Sequence, residues 1–177
     1  MQNNLIDFNN LHIITYPDPL LARKAEPVTQ ITPEIVNLAE RMVDIMVGAS
    51  GIGLAAPQVG VLLRMFVFSV SGKRDNAEVL INPQLSKLHG QSEIEEGCLS
   101  IPGVRSKVRR AATCSVKALD LDGNEFVMDA VDMTATVFQH ETDHLDGTLF
   151  IDRLNTVSRL ACRRALKQLE REYNEQN

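Results

Sequence analysis

Apolar positions recur along this chain with two periods. Between Thr32 and Gly48, residues Ile35, Leu38, Met42 and Ile45/Met46 fall one helical turn apart. Pro33 follows Thr32 in the first helical position and Gly48 suits a stop, so a helix is predicted there. Met65–Val70 and Val79–Asn82 are short apolar runs and read as strands. Ala112–Asp120 and Glu125–Ala130 flank Leu121-Asp122-Gly123-Asn124, a hairpin signal. A second helix is predicted from Asp132 to His144, which holds no Gly or Pro; Met133, Val137, His140 and His144 recur along one face, and Gly147 suits a helix stop. The last helix runs from about Thr156 to Tyr173, with Val157, Leu160, Ala161, Leu169 and Tyr173 assigned to its inner face. Few parallel crossovers are available. The expectation is therefore an α+β fold in which antiparallel β-sheets pack around a central helix carrying two histidines, with a C-terminal helix beyond.

Composition narrows the class. The 177 residues read as one domain, long enough to bury a full core. At 44% hydrophobic and 23% charged the chain is ordinary for a globular protein, and no apolar run reaches the ~20 residues of a membrane span. A net charge of −5 disfavours bulk binding to DNA. The start, Met1-Gln2-Asn3-Asn4, has neither a basic nor an apolar leader segment, and no Arg or Lys occurs before Arg23, so neither a secretory signal nor a transit peptide is expected. Three cysteines, an odd number, point to a reducing compartment and a cytoplasmic location.

The chemistry concentrates in His140-Glu141-Thr142-Asp143-His144. Two histidines four apart lie one turn from each other on a helix, which lets two imidazoles hold one metal ion. The intervening Glu141 is placed to take a proton from a water the metal activates and return it to a leaving group. The bland alternative is a pair of core histidines, a poor way to build a core because each ring brings a polar atom that needs a partner. Asp143 reads either as a support for the ligands or as a solvated carboxylate.

A catalytic site needs a third ligand, and no histidine follows His144. Upstream, Glu96-Gly97-Cys98-Leu99-Ser100-Ile101-Pro102-Gly103 brackets Cys98 between Gly97 and an Ile-Pro-Gly turn, as if presenting it. Two readings stay open for Cys98, a thiolate ligand and a small buried hydrophobe. Cys114, in a strand, and Cys162, in the last helix, fit the second. Gly51-Ile52-Gly53-Leu54-Ala55-Ala56-Pro57-Gln58 is rich in small residues, without the spacing of a dinucleotide fingerprint or a P-loop. It reads either as the wall of a narrow cleft offering Gln58 as a donor, or as a tight turn between helix and strand.

These three segments, in this order, resemble the peptide deformylase family. Tyr16-Pro17-Asp18-Pro19 with Leu21, and Leu149-Phe150-Ile151-Asp152-Arg153, extend the resemblance over nearly the whole chain. Thr142 departs from it, standing where members more often carry an apolar residue; altered helix packing with activity kept is expected. The resemblance implies Cys98, His140 and His144 as ligands of one metal ion per chain, Glu141 as acid/base, and Gln58 with the Leu99 N–H as holders of the formyl oxygen. It implies Gly53 as a backbone contact for the peptide. It also implies iron(II), Fe(2+), as the metal, with zinc, nickel or cobalt as substitutes; a thiolate with two imidazoles suits all four and disfavours magnesium or calcium. The implied substrate is the N-terminal formyl-methionine of new polypeptides.

The methionine pocket should be apolar, with Ile52, Leu54, Ile94, Val137 and Phe138 as candidates, each equally readable as core. Arg105 reads either as a contact for the peptide backbone or as a solvated charge. Residues 153–171 hold Arg153, Arg159, Arg163, Arg164, Lys167 and Arg171 against Glu170, a solvated face or a surface that docks on the ribosome. Two rival functions are an HExxH protease and a non-catalytic protein with a structural metal. The absent downstream histidine argues against the first, and the lack of a convincing fourth ligand against the second.

Overall fold

The computed structural model describes residues 7, 8 and 10–176; the Met1–Asn4 reading lies outside them. Among the described residues, seven strands and three α-helices follow in the order α1 (Pro33–Gly48), β1 (Gly53–Ala55), β2 (Met65–Phe68), β3 (Glu78–His89), β4 (Ser92–Cys98), β5 (Ile101–Arg110), β6 (Thr113–Leu119), β7 (Glu125–Val131), α2 (Asp132–Leu145) and α3 (Thr156–Gln176). Short 3₁₀ turns, among them Ala56–Val59 and Phe150–Arg153, connect them. Five strands form an antiparallel sheet in the order β1-β2-β3-β6-β7, and β4 pairs with β5 as a separate hairpin. The architecture is α+β with antiparallel sheets, a central histidine-bearing helix and a C-terminal helix.

The β1–β2 part of the sheet is buried between two helices. α1 lays Ile35, Leu38, Ala39, Met42, Val43 and Met46 on one side, against Leu54, Met65, Val67 and Ile81. On the other side α2 packs Ala135, Val137, Phe138 and Leu145 against Phe66, Phe68, Leu80 and Val116. Alternation along β2 explains the division, since Met65 and Val67 face α1 while Phe66 and Phe68 face α2. Phe68 and Phe138 meet edge to face at 4.9 Å, worth about 0.5–1.5 kcal/mol beyond the area they bury. A third cluster joins β5 and α3 through Leu21, Ile101, Val104, Val108, Phe150, Cys162 and Leu166.

Three expectations are corrected. The strand expected over Val79–Asn82 runs on to His89, because a register shift between Ile81 and Gln84 absorbs Pro83, which cannot donate to a ladder. Pro102 and Gly103 belong to β5 rather than to a turn; the register jumps from Gly97↔Arg105 to Cys98↔Ile101, leaving a bulge in which Gly103 takes φ +75°. In α3, Val157, Leu160 and Ala161 are exposed, and Cys162 and Leu166 are buried with Leu169 against them. At about 100° per residue the two sets lie on opposite faces, and only the second meets β5.

Candidate metal centre and catalytic cleft

A cleft of about 710 Å³ opens between β1, the β4–β5 hairpin and α2. Cys98 ends β4, and His140 and His144 stand one turn apart on α2. Their candidate ligand atoms all lie within 4.8 Å of one another, and Cys98 Sγ is 3.3 Å from His144 Nε2. The helix supplies two imidazoles at fixed separation, and the strand end brings the sulfur across from a different element.

The donor set fits a metal ion in three respects. His140 Nδ1 is 2.8 Å from Glu96 Oε2, an arrangement that fixes the ring. Burial pushes the His140 ring pKa down, but hydrogen bonds to Cys98 and Glu96 outweigh it and take it up to about 10. The anionic groups around this ring thus favour a positive charge beside them. His144 is held well below its ordinary value, first by burial, so its ring is neutral as a ligand requires.

Glu141 stands beside this group, buried, with its carboxyl pushed up to about 7 chiefly by burial. Its Oε2 has no hydrogen-bond partner among the described residues. The opposite wall is Gly53, where a Cβ would fall 2.9 Å from Glu141 Cδ and 3.1 Å from Cγ. Only glycine lets β1 approach this closely.

Gln58 is held in the buried turn after β1. Its Oε1 accepts from the Ala55 N–H at 2.8 Å, and its Nε2 donates to Ser100 Oγ at 3.2 Å and to Cys98 Sγ at 3.4 Å. That orientation aims the amide N–H₂ into the cleft. Leu99 occupies the turn between β4 and β5, with its side chain against Gly51.

Of the expected pocket residues, Ile52, Gly53, Ile94, Arg105 and Val137 line the cleft together with Met133 and Thr136. Leu54 and Phe138 do not. Leu54 follows Gly53 on a strand and so faces the other way, into the α1 core, and Phe138 packs among the phenylalanines under the sheet. Arg105 crosses over Gly97, its cross-strand partner. Met133, on the same helix face as the histidines, is 39% exposed at the cleft mouth.

Sequence reasoning missed Glu96 and Arg110. Arg110 donates through Nε and Nη2 to the two Glu96 oxygens at 2.5 and 2.9 Å, and all of this is buried. Burial pushes the Glu96 carboxyl up, but hydrogen bonds from His140 and Arg110 hold it below the usual range. A charge beside the cysteine and an arginine fourteen residues on gave no periodic signal; only the β4–β5 pairing brings them together. Asp143, left open above, is buried against arginines rather than solvated.

The sequence model of the polypeptide deformylase family matches residues 10–160. The peptide deformylase of Acidobacterium capsulatum is 45% identical over 161 residues, covering 90% of this chain and 95% of that protein. Among solved structures, a peptide deformylase from Legionella pneumophila is 40% identical with a TM-score of 0.85, over 92% of this chain and 96% of its own. Peptide deformylase 1B of Arabidopsis thaliana is 36% identical with a TM-score of 0.90, over 94% of this chain and 93% of its own. Sequence and architecture agree over the same stretch, and on both grounds the chain belongs to the peptide deformylase family.

Proposed function

We propose that this enzyme hydrolyses the formamide of N-terminal formyl-methionine on new polypeptides, releasing formate. The observation that carries the reading is the grouping of Cys98, His140 and His144 with a buried Glu141 at one end of a cleft. The reading takes those three as ligands of one iron(II) ion, which zinc, nickel or cobalt could replace. When bound, the ion supplies Lewis acidity, lowering the pKa of water towards 7 and polarising the formyl group.

The chain's own residues supply the rest. Glu141, with its pKa raised to about 7, is matched to accept the proton of the attacking water near neutral pH and deliver it to the departing amine. The Gln58 N–H that now points to Cys98 Sγ is the one that would turn to the developing oxyanion, joined by the Leu99 N–H. One such donor is typically worth about 2.7–4 kcal/mol. Ile52, Ile94 and Val137 are assigned to the methionine side chain, Gly53 to the peptide backbone, and Arg105 to the peptide beyond the first residue. The whole chain acts as one catalytic domain.

The test is formate release from formyl-Met-Ala-Ser by protein prepared anaerobically with iron(II). Formate that disappears in Glu141→Ala, with metal retained, supports both the activity and the base. No formate from folded, metal-loaded protein rejects it.

The enzyme is assigned to the cytoplasm, where formylated chains emerge, and no helix among the described residues is long and apolar enough to cross a membrane. Exposed Arg163, Arg164, Lys167 and Arg171 on α3 support docking on the ribosome. Charge reversal at Arg163 and Arg164 should abolish co-sedimentation with ribosomes; unchanged co-sedimentation sinks the docking.

A further inference from the structure

Asp143 lies between the two histidines in sequence but turns to a second cavity, on the far side of α2, lined also by Arg64, Arg110, Asp146 and Arg153. Its two oxygens are shared between two arginines. Arg153 donates through Nη2 to Oδ1 at 2.6 Å and through Nε to Oδ2 at 3.2 Å. Arg110 donates through Nη1 to Oδ2 at 2.8 Å. Arg110 in turn grips both oxygens of Glu96, and Glu96 Oε2 meets His140 Nδ1 at 2.8 Å. An unbroken run of charge-assisted bonds therefore leads from Arg153, whose side chain is 52% exposed at the entry to α3, to the imidazole of His140.

The charges alternate along this run. Arg153 balances Asp143, Asp143 shares Arg110 with Glu96, and each inner member is buried. Removing one member leaves its neighbour as a buried charge short of a partner, and the geometry of the next bond changes with it. Among the described residues Asp143 is the one acceptor for Arg110 Nη1, so it braces the guanidinium on the side away from Glu96. Arg64 and Asp146 form a similar ion pair at 2.7 Å on the same cavity; Asp146 meets Asp143 only through a backbone N–H to its carbonyl at 3.0 Å, and among the described residues neither side chain of the pair bonds to the run.

We propose that Asp143 and Arg153 are positioning residues for the metal centre. By fixing Arg110, and through it Glu96, they hold the His140 ring in the orientation that binds the ion and so set metal affinity from outside the cleft. The proposal rests on the reading of Cys98, His140 and His144 as ligands, and its test does not depend on deformylation.

Metal-stripped protein is titrated with cobalt(II) against a competing chelator, and the thiolate-to-cobalt and d–d absorption bands are recorded. Asp143→Asn should raise the cobalt Kd by roughly 10-fold or more and shift the bands, the range seen when such outer partners are lost. Arg153→Gln should act in the same direction by a smaller factor, and Arg153→Lys should restore part of the loss by keeping the charge without the fork. Asp146→Asn should leave affinity and spectrum at wild-type values. Folded Asp143→Asn protein with wild-type Kd and bands overturns the proposal, and wild-type affinity in Arg153→Gln overturns the share given to Arg153. If Asp143→Asn fails to fold, Arg153→Gln, at a half-exposed position, decides the matter. Wild-type protein that binds no cobalt overturns the ligand reading and this proposal together, whereas absence of formate release leaves the metal test intact.

Discussion

Gly53 and Glu141 are packed so closely that one methyl group cannot fit between them: a Cβ on Gly53 would stand 2.9 Å from Glu141 Cδ. The edge strand β1 and the helix α2 therefore meet at the carboxyl assigned as base. Gly53→Ala should push that carboxyl out of line. We expect kcat to fall by about 10²–10⁴-fold, the contribution of a positioned acid/base, with metal content unchanged by elemental analysis. Wild-type kcat in this variant would show that Glu141 need not sit against Gly53.

The acid limb of stability should report Glu96. Its folded pKa is depressed below the usual 4.5 by His140 and Arg110, despite burial. The unfolded chain therefore takes up the proton first, so the contribution is whole above about pH 4.5 and is lost as pH falls through the lower folded value. Glu96→Gln should lower Tm at neutral pH, with the gap to wild type closing below pH 4.5. A gap independent of pH would mean that the carboxylate charge is not what stabilises the network.

An alkaline counterpart lies at Tyr16, whose hydroxyl donates to Glu170 on α3 at 2.7 Å. Burial first, then Glu170, raises the phenol from 10.0 to about 12. A raised folded value gives stability that is whole below pH 10 and lost between pH 10 and about 12. Tyr16→Phe should be less stable than wild type at pH 8 and converge with it above pH 10 in urea midpoint. Parallel curves would remove the hydrogen bond from the account.

Thr142 carries a buried hydroxyl with no partner among the described residues. Thr142→Val keeps the shape and removes the unsatisfied group, so it should stabilise by about 1 kcal/mol. In a chain of this size that is a Tm rise of about 2–4 °C by calorimetry. Lowered Tm would mean that the hydroxyl is satisfied in solution. Since the residue faces away from the cleft, kcat should not change.

The sequence carried the elements whose pattern is local. Pro33 and Gly48 bound α1 as expected, and Asp120, Gly123 and Asn124 make the turn between β6 and β7. The two histidines were legible because four residues is one helical turn, a relation internal to α2. Hairpin β4–β5 was not legible as strands, since Glu93, Glu95, Arg105, Lys107 and Arg109 make its outward face as polar as a loop. Nor was the inner face of α3, where Val157 and Leu160 are as apolar as Leu166 and only the position of β5 selects among them.

By itself, then, the sequence determined the periodic helices and strands, the histidine pair with its glutamate, and the three segments that together resemble one family. Tertiary structure alone decided that Cys98 closes on His144, that Leu54 and Phe138 belong to the core rather than the cleft, and that Glu96, Arg110, Asp143 and Arg153 form one run of charges. The physical reason is separation along the chain. Local periodicity is written in neighbours three or four residues apart, whereas Glu96 and His140 are joined only when a hairpin and a helix from distant segments pack against each other and a buried charge must find its partner.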